Sequence, residues 1–262
     1  MLRQHRRVVR TAALGLTVAC GSGIFSAGNM NFEATADFSE SIPVDNRTRL
    51  DVTGINGAVS VTGDALTGTI VVSGTRKVRS ESVSDAEARL EDIEVVITEQ
   101  ASRLVVETRH LREPNGRSYE VEYEISVPPG FALNIVNVNG AIVVSGIDGD
   151  VDLLNTNGAI VLEAVTGNLD VDVTNGAIVA EATMSSGGSI DLRTTNGEVQ
   201  LSVPAATSAT FEAALVNGTI TITNLTLSNQ SVTGQRVTGT LGSGNGTIQL
   251  HTTNGGIVAI GL

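Results

Sequence analysis

The sequence predicts an all-β chain that folds as a single-stranded β-solenoid, with a lateral α/β excursion near its middle. Nine Asn-Gly dipeptides carry this prediction, and from Asn139 onward they recur at a nearly constant spacing, at Asn157, Asn175, Asn196 and Asn217. A similar strand follows the dipeptide each time, as in NGAIVV at 139, NGAIVL at 157 and NGAIVA at 175. A turn and a strand that recur at a fixed period are typical of stacked repeats, in which each coil lies on the previous one.

Apolar and polar residues alternate along the repeat strands. Val151 and Leu153 alternate with Asp150 and Asp152, and later repeats show the same pattern. Alternation at period two predicts half-buried strands with one apolar face. Because the chain has no Trp and only 3% aromatic residues, Val, Ile, Leu and Ala must fill the interior.

An antiparallel β-meander or sandwich is the alternative fold, since Asn-Gly between strands is also a strong hairpin signal. The solenoid is favoured because only stacked coils explain the same dipeptide at equivalent positions with the same strand behind it. Stacked Asn side chains can bond in a ladder along the axis, and Gly permits the sharp backbone at each corner. We therefore expect structural turns at Asn56, Asn139, Asn157, Asn175, Asn196, Asn217, Asn245 and Asn254.

Residues 1–19 are predicted to be a signal peptide. Four Arg residues precede the apolar run from Thr11 to Ala19, which is too short to span a bilayer and fits a signal core. Cys20 follows at once, so we expect it to carry a lipid, with ordinary cleavage nearby as the alternative. Residues 20–33 would then be the lipid anchor and tether. This organisation predicts an exported lipoprotein, periplasmic or on the outer surface, that is anchored to a membrane through Cys20.

Residues 34–262 are predicted to form one β-solenoid domain. Within it, 76–130 is a less regular excursion with a short helix that begins at a Ser84 cap, and 131–262 holds the regular repeats. The apolar C-terminal segment from Ile257 is expected to be an uncapped end of the stack, which allows self-association.

The charge balance excludes one class of partner. Without residues 1–19 the chain has 12 basic and 28 acidic residues, a net charge of −16. From Val121 to Leu262 there are twelve acidic residues, and the only basic ones are Arg193 and Arg236. Since such a surface repels phosphate backbones, we expect no nucleic-acid partner. The single cysteine also excludes an internal disulfide.

No catalytic residue and no cofactor are predicted. The three histidines, His5, His110 and His251, do not cluster. The acidic residues Asp148, Asp150, Asp152, Asp170 and Asp172 are weak candidates for a calcium site, because a spacing close to one coil would stack Asp150 on Asp170 and Asp152 on Asp172. Solvated outward carboxylates are the favoured interpretation, so no metal site is assigned. Outward rows such as Thr156 and Thr174 could instead contact a carbohydrate or a flat protein surface.

Three further segments stand out: LDVTGINGAVSVTG from Leu50, YEISVPPG from Tyr123, and GSGNGTIQLHTTNGGIV from Gly242. Together with the NGAIV repeats between them, they resemble a bacterial family of putative adhesin domains built from β-strand repeats, which is related to the head domains of putative autotransporter adhesins. The resemblance covers 34–262 and implies a β-solenoid-like fold at the cell envelope, with no enzyme chemistry to carry over.

The sequence thus predicts a non-catalytic cell-envelope lipoprotein with an interaction, adhesion or structural role, whose protein or glycan partner it does not identify. Two alternatives stay open. One is a carbohydrate-active β-helix enzyme, since such enzymes use related folds. The other is an envelope assembly or sensing factor, which no motif separates from an adhesive module.

Overall fold

The computed structural model describes residues 5–9, 18–20, 32–64, 68–110 and 115–262. Over these residues the chain forms two large β-sheets whose inward side chains share one apolar core. One helix, α1 (Val83–Arg89), and a following 3₁₀ turn, Leu90–Asp92, are the helical elements of the described part.

The strand bounds follow the repeats. The strands of the first half are β1 (His5–Val9), β2 (Val18–Cys20), β3 (Phe32–Pro43), β4 (Arg49–Thr53), β5 (Val59–Gly63), β6 (Thr69–Ser80), β7 (Ile93–Glu99), β8 (Arg103–His110) and β9 (Ser118–Val127). Those of the second half are β10 (Ala132–Asn139), β11 (Ile142–Ser145), β12 (Val151–Asn157), β13 (Ile160–Thr166), β14 (Leu169–Asn175), β15 (Ile178–Thr183), β16 (Ser189–Asn196), β17 (Val199–Val203), β18 (Ala209–Asn217), β19 (Ile220–Thr223), β20 (Leu227–Val232), β21 (Arg236–Leu241), β22 (Gly246–Asn254) and β23 (Ile257–Gly261).

Each coil contributes one strand to each sheet, and the coils stack in parallel. The larger sheet has the order β1-β7-β8-β4-β10-β12-β14-β16-β22-β18-β21-β20, and the smaller has β19-β23-β17-β15-β13-β11-β5-β9-β6-β3-β2. From β10 through β12 to β14 the register is constant, and it aligns Ile135, Leu153 and Val171 across three strands. All three side chains are buried. The predicted β-solenoid is confirmed, and an antiparallel meander is not the fold of the repeats.

The last coil does not lie at the end of the stack. Strand β22 pairs with both β16 and β18, and β23 pairs with both β17 and β19. The chain therefore returns to insert its final coil between two earlier ones. The expectation of an uncapped C-terminal end is wrong for this reason: Ile257 and Ala259 are fully buried. The stack ends instead at β18 and β19, with β21 added antiparallel to β18 and β20 added antiparallel to β21.

The excursion around 76–130 forms the other end of the stack rather than a purely lateral insertion. Strands β8 and β9 run parallel to β4 and β5 in the two sheets, while β7 and β6 return antiparallel beside them. Helix α1 begins slightly earlier than expected, because the hydroxyl of Ser82, not Ser84, accepts from the Asp85 amide at 3.2 Å. Arg117 of the following hairpin donates to both Asp85 oxygens, at 2.6 and 3.0 Å, which fixes α1 to β9.

The N-terminal prediction is only partly within the described residues. His5–Val9 pairs antiparallel with β7, and Val18–Cys20 pairs with the start of β3. Most of the predicted signal peptide and tether, and the Cys20 side chain, lie outside the description, so the signal peptide and the lipid stay predictions. In the part of the chain that the structure describes, no helix is long and apolar enough to cross a membrane.

Candidate interaction surface

One corner of the solenoid is built from the Asn-Gly dipeptides. Side-chain amides of seven Asn residues bond from coil to coil at 2.7 to 2.9 Å. We call this set the asparagine ladder; in spatial order its members are Asn56, Asn139, Asn157, Asn175, Asn196, Asn254 and Asn217. Because the coils stack in register, each amide lies one strand spacing from the next, as a ladder requires.

The asparagine ladder has a single direction. Every Nδ2 donates toward the N-terminal end of the stack, and the last, that of Asn56, donates to the Tyr119 carbonyl at 2.9 Å. At the opposite end Asn217 donates to Asn254. Asn245 was predicted to belong with these turns, and that prediction is wrong: its backbone amide donates to the Ser208 hydroxyl at a different corner.

The glycines of the corner are needed for close approach between coils. A Cβ on Gly158 would lie 2.3 Å from the Gly140 carbonyl oxygen, and Gly158 has φ +128°. A Cβ on Gly140 would likewise lie 2.2 Å from the Gly57 carbonyl oxygen. Only a residue without a side chain fits this backbone and this spacing, which is why Asn and Gly recur together.

A second row of polar residues lies inside the corner and was missed by the sequence analysis. Asn155 is fully buried and donates to the carbonyls of Gly140 and Gly158, at 2.9 and 3.0 Å. Thr194 and Thr252 each donate to the glycine carbonyl of the neighbouring coil at 2.9 Å. The signal was present: each of these residues stands two positions before a ladder Asn, where an inward apolar residue would be expected.

Exposed threonines run beside the asparagine ladder. We call Thr156, Thr174, Thr195 and Thr253 the threonine rim; all four are exposed, and each directly precedes a ladder residue. As a result, hydroxyl and amide groups repeat along this edge at the strand spacing, about 4.8 Å. These rows point outward as predicted.

The acidic residues stack in a different register from the one expected. Asp152 aligns with Asp170, and Asp170 with Asp191, whereas Asp172 aligns with Leu154. The predicted pairs are wrong because the coil here is shorter than the spacing that separates Asp150 from Asp170 and Asp152 from Asp172. Burial raises the pKa of the Asp191 carboxyl. The positive charge of Arg193 lowers this pKa, and the negative charge of Asp170 raises it further.

The remaining calcium candidates have other partners. Asp150 accepts from the backbone amide and the side chain of Asn168, at 3.1 and 2.9 Å, and Asp148 forms an isolated parallel β-bridge with Thr166. Among the described residues, no group of three or more His, Cys, Asp or Glu side chains is placed to hold a metal ion.

Residues 133–258 match the family model described as Toastrack DUF4097. This part of the chain is a Toastrack domain. The Toastrack domain contains the ladder from Asn139 to Asn254 and the whole threonine rim, while the coils built by β4, β5, β8 and β9 continue the same stack before it.

Solved structures align over both the Toastrack domain and its N-terminal coils. A putative cell adhesion protein from Clostridium sporogenes ATCC 15579 aligns with a TM-score of 0.50 at 10% identity, covering 87% of this chain and 100% of that chain. A putative adhesin from Bacteroides fragilis NCTC 9343 aligns with a TM-score of 0.38 at 11% identity, covering 86% of this chain and 96% of that chain. No curated protein matches the sequence. At 10% identity, the likeness to the Clostridium sporogenes protein establishes the fold alone.

A shallow polar depression lies near the C-terminal end of the Toastrack domain, where β18, β21 and β22 adjoin. Its volume is about 320 Å³, and Glu212 is the one carboxylate that lines it. Arg236 donates to Glu212 at 2.8 Å. Glycoside hydrolysis normally uses two carboxylates across the bond to be cleaved, and the lining of this depression provides one.

Proposed function

We propose that this protein is an exported, non-catalytic interaction module of the bacterial cell envelope that adheres to a protein or glycan partner through the corner formed by the threonine rim and the asparagine ladder. The observation that carries the proposal is the repetition of the same exposed groups on consecutive coils. Thr156, Thr174 and Thr195 occupy equivalent exposed positions on β12, β14 and β16.

A repeating surface suits a repeating or extended partner. Each of the four coils that carry the threonine rim offers one hydroxyl and one amide, so a polymer or an extended chain can make the same weak contact several times. Linked weak contacts raise the overall avidity without any single strong site. The two rigid sheets hold the row straight, which reduces the ordering cost of such binding.

The anchor belongs to the same proposal. A lipid on the Cys20 thiol would anchor the chain, and cleavage before Cys20 would make this residue the mature N-terminus and would remove β1, which pairs with β7. Strand β7 would then be the edge of the larger sheet in the mature protein, and edge strands can accept a partner strand. Incorporation of a labelled fatty acid into the parent chain but not into Cys20→Ala tests this anchor.

The adhesive role is tested with beads that carry the full-length chain through a C-terminal tag. The beads are applied to intact cells of the source bacterium and to its purified cell-wall polysaccharide, and retention under flow is measured. We expect the parent chain to be retained. The triple variant Thr156→Lys, Thr174→Lys, Thr195→Lys should lose most of this retention, because three long charged side chains then cover the rim.

A matched control places the same number of charges on the same coils but on the smaller sheet. Val161→Lys, Val179→Lys, Gln200→Lys alters outward residues of β13, β15 and β17, which align across that sheet. It should be retained like the parent. Equal loss in both variants, or no retention of the parent on either surface, contradicts the proposed binding corner.

A further inference from the structure

The stack makes the nine Asn-Gly dipeptides differ in one chemical property: whether the backbone nitrogen of Gly is free to react. In an Asn-Gly pair the backbone nitrogen of Gly can attack the Asn side-chain carbon, because Gly has no Cβ to hinder the approach. A bond forms between that nitrogen and Cγ, closing a succinimide ring, and Nδ2 leaves as ammonia with the proton of the Gly amide. Water then opens the ring at either carbonyl, giving aspartate or isoaspartate. No oxidant or cofactor is required.

In six of the corners the attacking nitrogen is already engaged. The glycine amide donates to the Asn carbonyl of the next coil at 2.9 Å in each case: Gly57 to Asn139, Gly140 to Asn157, Gly158 to Asn175, Gly176 to Asn196, Gly197 to Asn254, and Gly255 to Asn217. A seventh glycine, Gly246, is buried and donates to Ser208 at 3.1 Å. Attack at these seven positions first requires a local opening of the stack.

Two glycines are not engaged in this way. Gly218 belongs to the last coil of the stack, so no further coil offers a carbonyl, and its amide donates to no described residue. Gly116 lies in the exposed turn between β8 and β9, with φ +80°, and its amide also donates to no described residue. Asn115 and Asn217, which precede them, are exposed.

From this difference we infer that Asn115 and Asn217 are sites of spontaneous deamidation in the native protein, and that the stack protects the other seven Asn-Gly pairs. Asn115 reacts faster than Asn217. The Asn217 amide still donates to Asn254 at 2.9 Å, and this bond restrains its side chain. Among the described residues, the one hydrogen bond to Asn115 goes from Arg117 to its backbone carbonyl, so no such bond holds the Asn115 side chain.

Each event adds a negative charge to an acidic chain. At Asn217 it also replaces the donor of the terminal ladder bond by an acceptor, so the aspartate faces the Asn254 oxygen without a hydrogen between them. The turn before β9 and the coil of β18, and not the interior of the stack, therefore accumulate the damage.

The test is peptide mapping by mass spectrometry of the full-length native chain during incubation at mildly alkaline pH, with isoaspartate quantified at each Asn-Gly pair. We expect Asn115 and Asn217 to react at least about tenfold faster than Asn157 and Asn175, because reaction at the latter waits for local opening. The same chain unfolded in urea is the control, and there all nine pairs should react at comparable rates.

Either of two results overturns the inference. One is a native chain in which Asn157 or Asn175 reacts as fast as Asn217. The other is an unfolded chain that retains the native ranking, which would assign the differences to neighbouring sequence rather than to the stack.

Discussion

A single buried side chain can serve two coils, and Asn155 does so. The equivalent position holds Thr in the coils of Thr194 and Thr252, and each hydroxyl donates to the glycine carbonyl of the neighbouring coil. In the coil of β14 that position is Val173, which has no donor. The second hydrogen bond of Asn155, to Gly158, replaces the one that Val173 cannot make. Since an unpaired buried carbonyl costs stability, the two positions should be energetically coupled.

This coupling is testable with a double-mutant cycle on Asn155→Thr and Val173→Thr. The hydroxyl introduced by Asn155→Thr can reach only one carbonyl and leaves Gly158 without its side-chain donor, and Val173→Thr restores that donor. We expect Val173→Thr to be more favourable in the Asn155→Thr background than in the parent, by about 1 kcal/mol. Urea unfolding of the four proteins measures the difference. An equal effect of Val173→Thr in both backgrounds contradicts the shared-donor explanation.

The Asp191 carboxyl should make stability depend on pH. Because burial raises its pKa in the folded chain, ionisation at neutral pH disfavours the fold, and Asp191→Asn should be the more stable protein at pH 7, by no more than about 1 kcal/mol. As the pH falls through the folded pKa toward the unfolded value near 3.9, the parent gains stability relative to the variant. Urea unfolding at several pH values should therefore show that the difference in free energy of unfolding between Asp191→Asn and the parent narrows in acid. A difference that widens in acid would contradict a raised pKa of Asp191.

Among the structural elements, the corner turns tolerate the least change. Their glycines approach the preceding coil so closely that the spacing of the stack depends on the missing side chain. Gly234, in contrast, is exposed in the turn between β20 and β21, and nothing lies within 4 Å of a Cβ placed on it.

We expect Gly158→Ala to destabilise the protein by about 2 to 4 kcal/mol, because the added Cβ meets a backbone oxygen at a strained φ. Gly234→Ala should change the free energy of unfolding by less than about 0.5 kcal/mol. The midpoints of thermal and urea unfolding compare the two variants. Similar effects of both substitutions would mean that the corner relaxes around the extra atom.

The corner could largely be predicted from the sequence, since Asn and Gly mark each turn and the dipeptide spacing gives the coil length. The predicted register of the acidic residues was wrong because Asp150 and Asp152 were aligned by a mean period, while the local spacing from Asn157 to Asn175 is shorter than that mean. The inward Asn155 was missed because polar residues were assigned to the outer face. Its position two residues before Asn157 placed it on the inner face by alternation alone.

At the scale of the whole molecule, the order of the coils could not be predicted. Strands β17, β19 and β23 all carry alternating apolar residues. Each of them could therefore lie beside the same neighbouring strand with its apolar side chains in the core. The alternation of apolar and polar residues along one strand does not indicate which strand lies beside it. Only the pairings themselves show that β23 separates β17 from β19.

The position of the last coil has a consequence for synthesis. A nascent chain leaves the ribosome from its N-terminus, and most of this solenoid can add coils in the order in which they emerge. The coil of β18 and β19 cannot, because the surface it finally covers belongs to the final segment of the chain, from Gly246 to Leu262. Until that later segment has been made and has inserted, the coil of β18 and β19 must stay undocked or pack provisionally on β16 and β17 and later be displaced. Closure of this end of the stack therefore depends on a segment that follows it in the sequence, so the coils cannot all dock in the order in which they are synthesised.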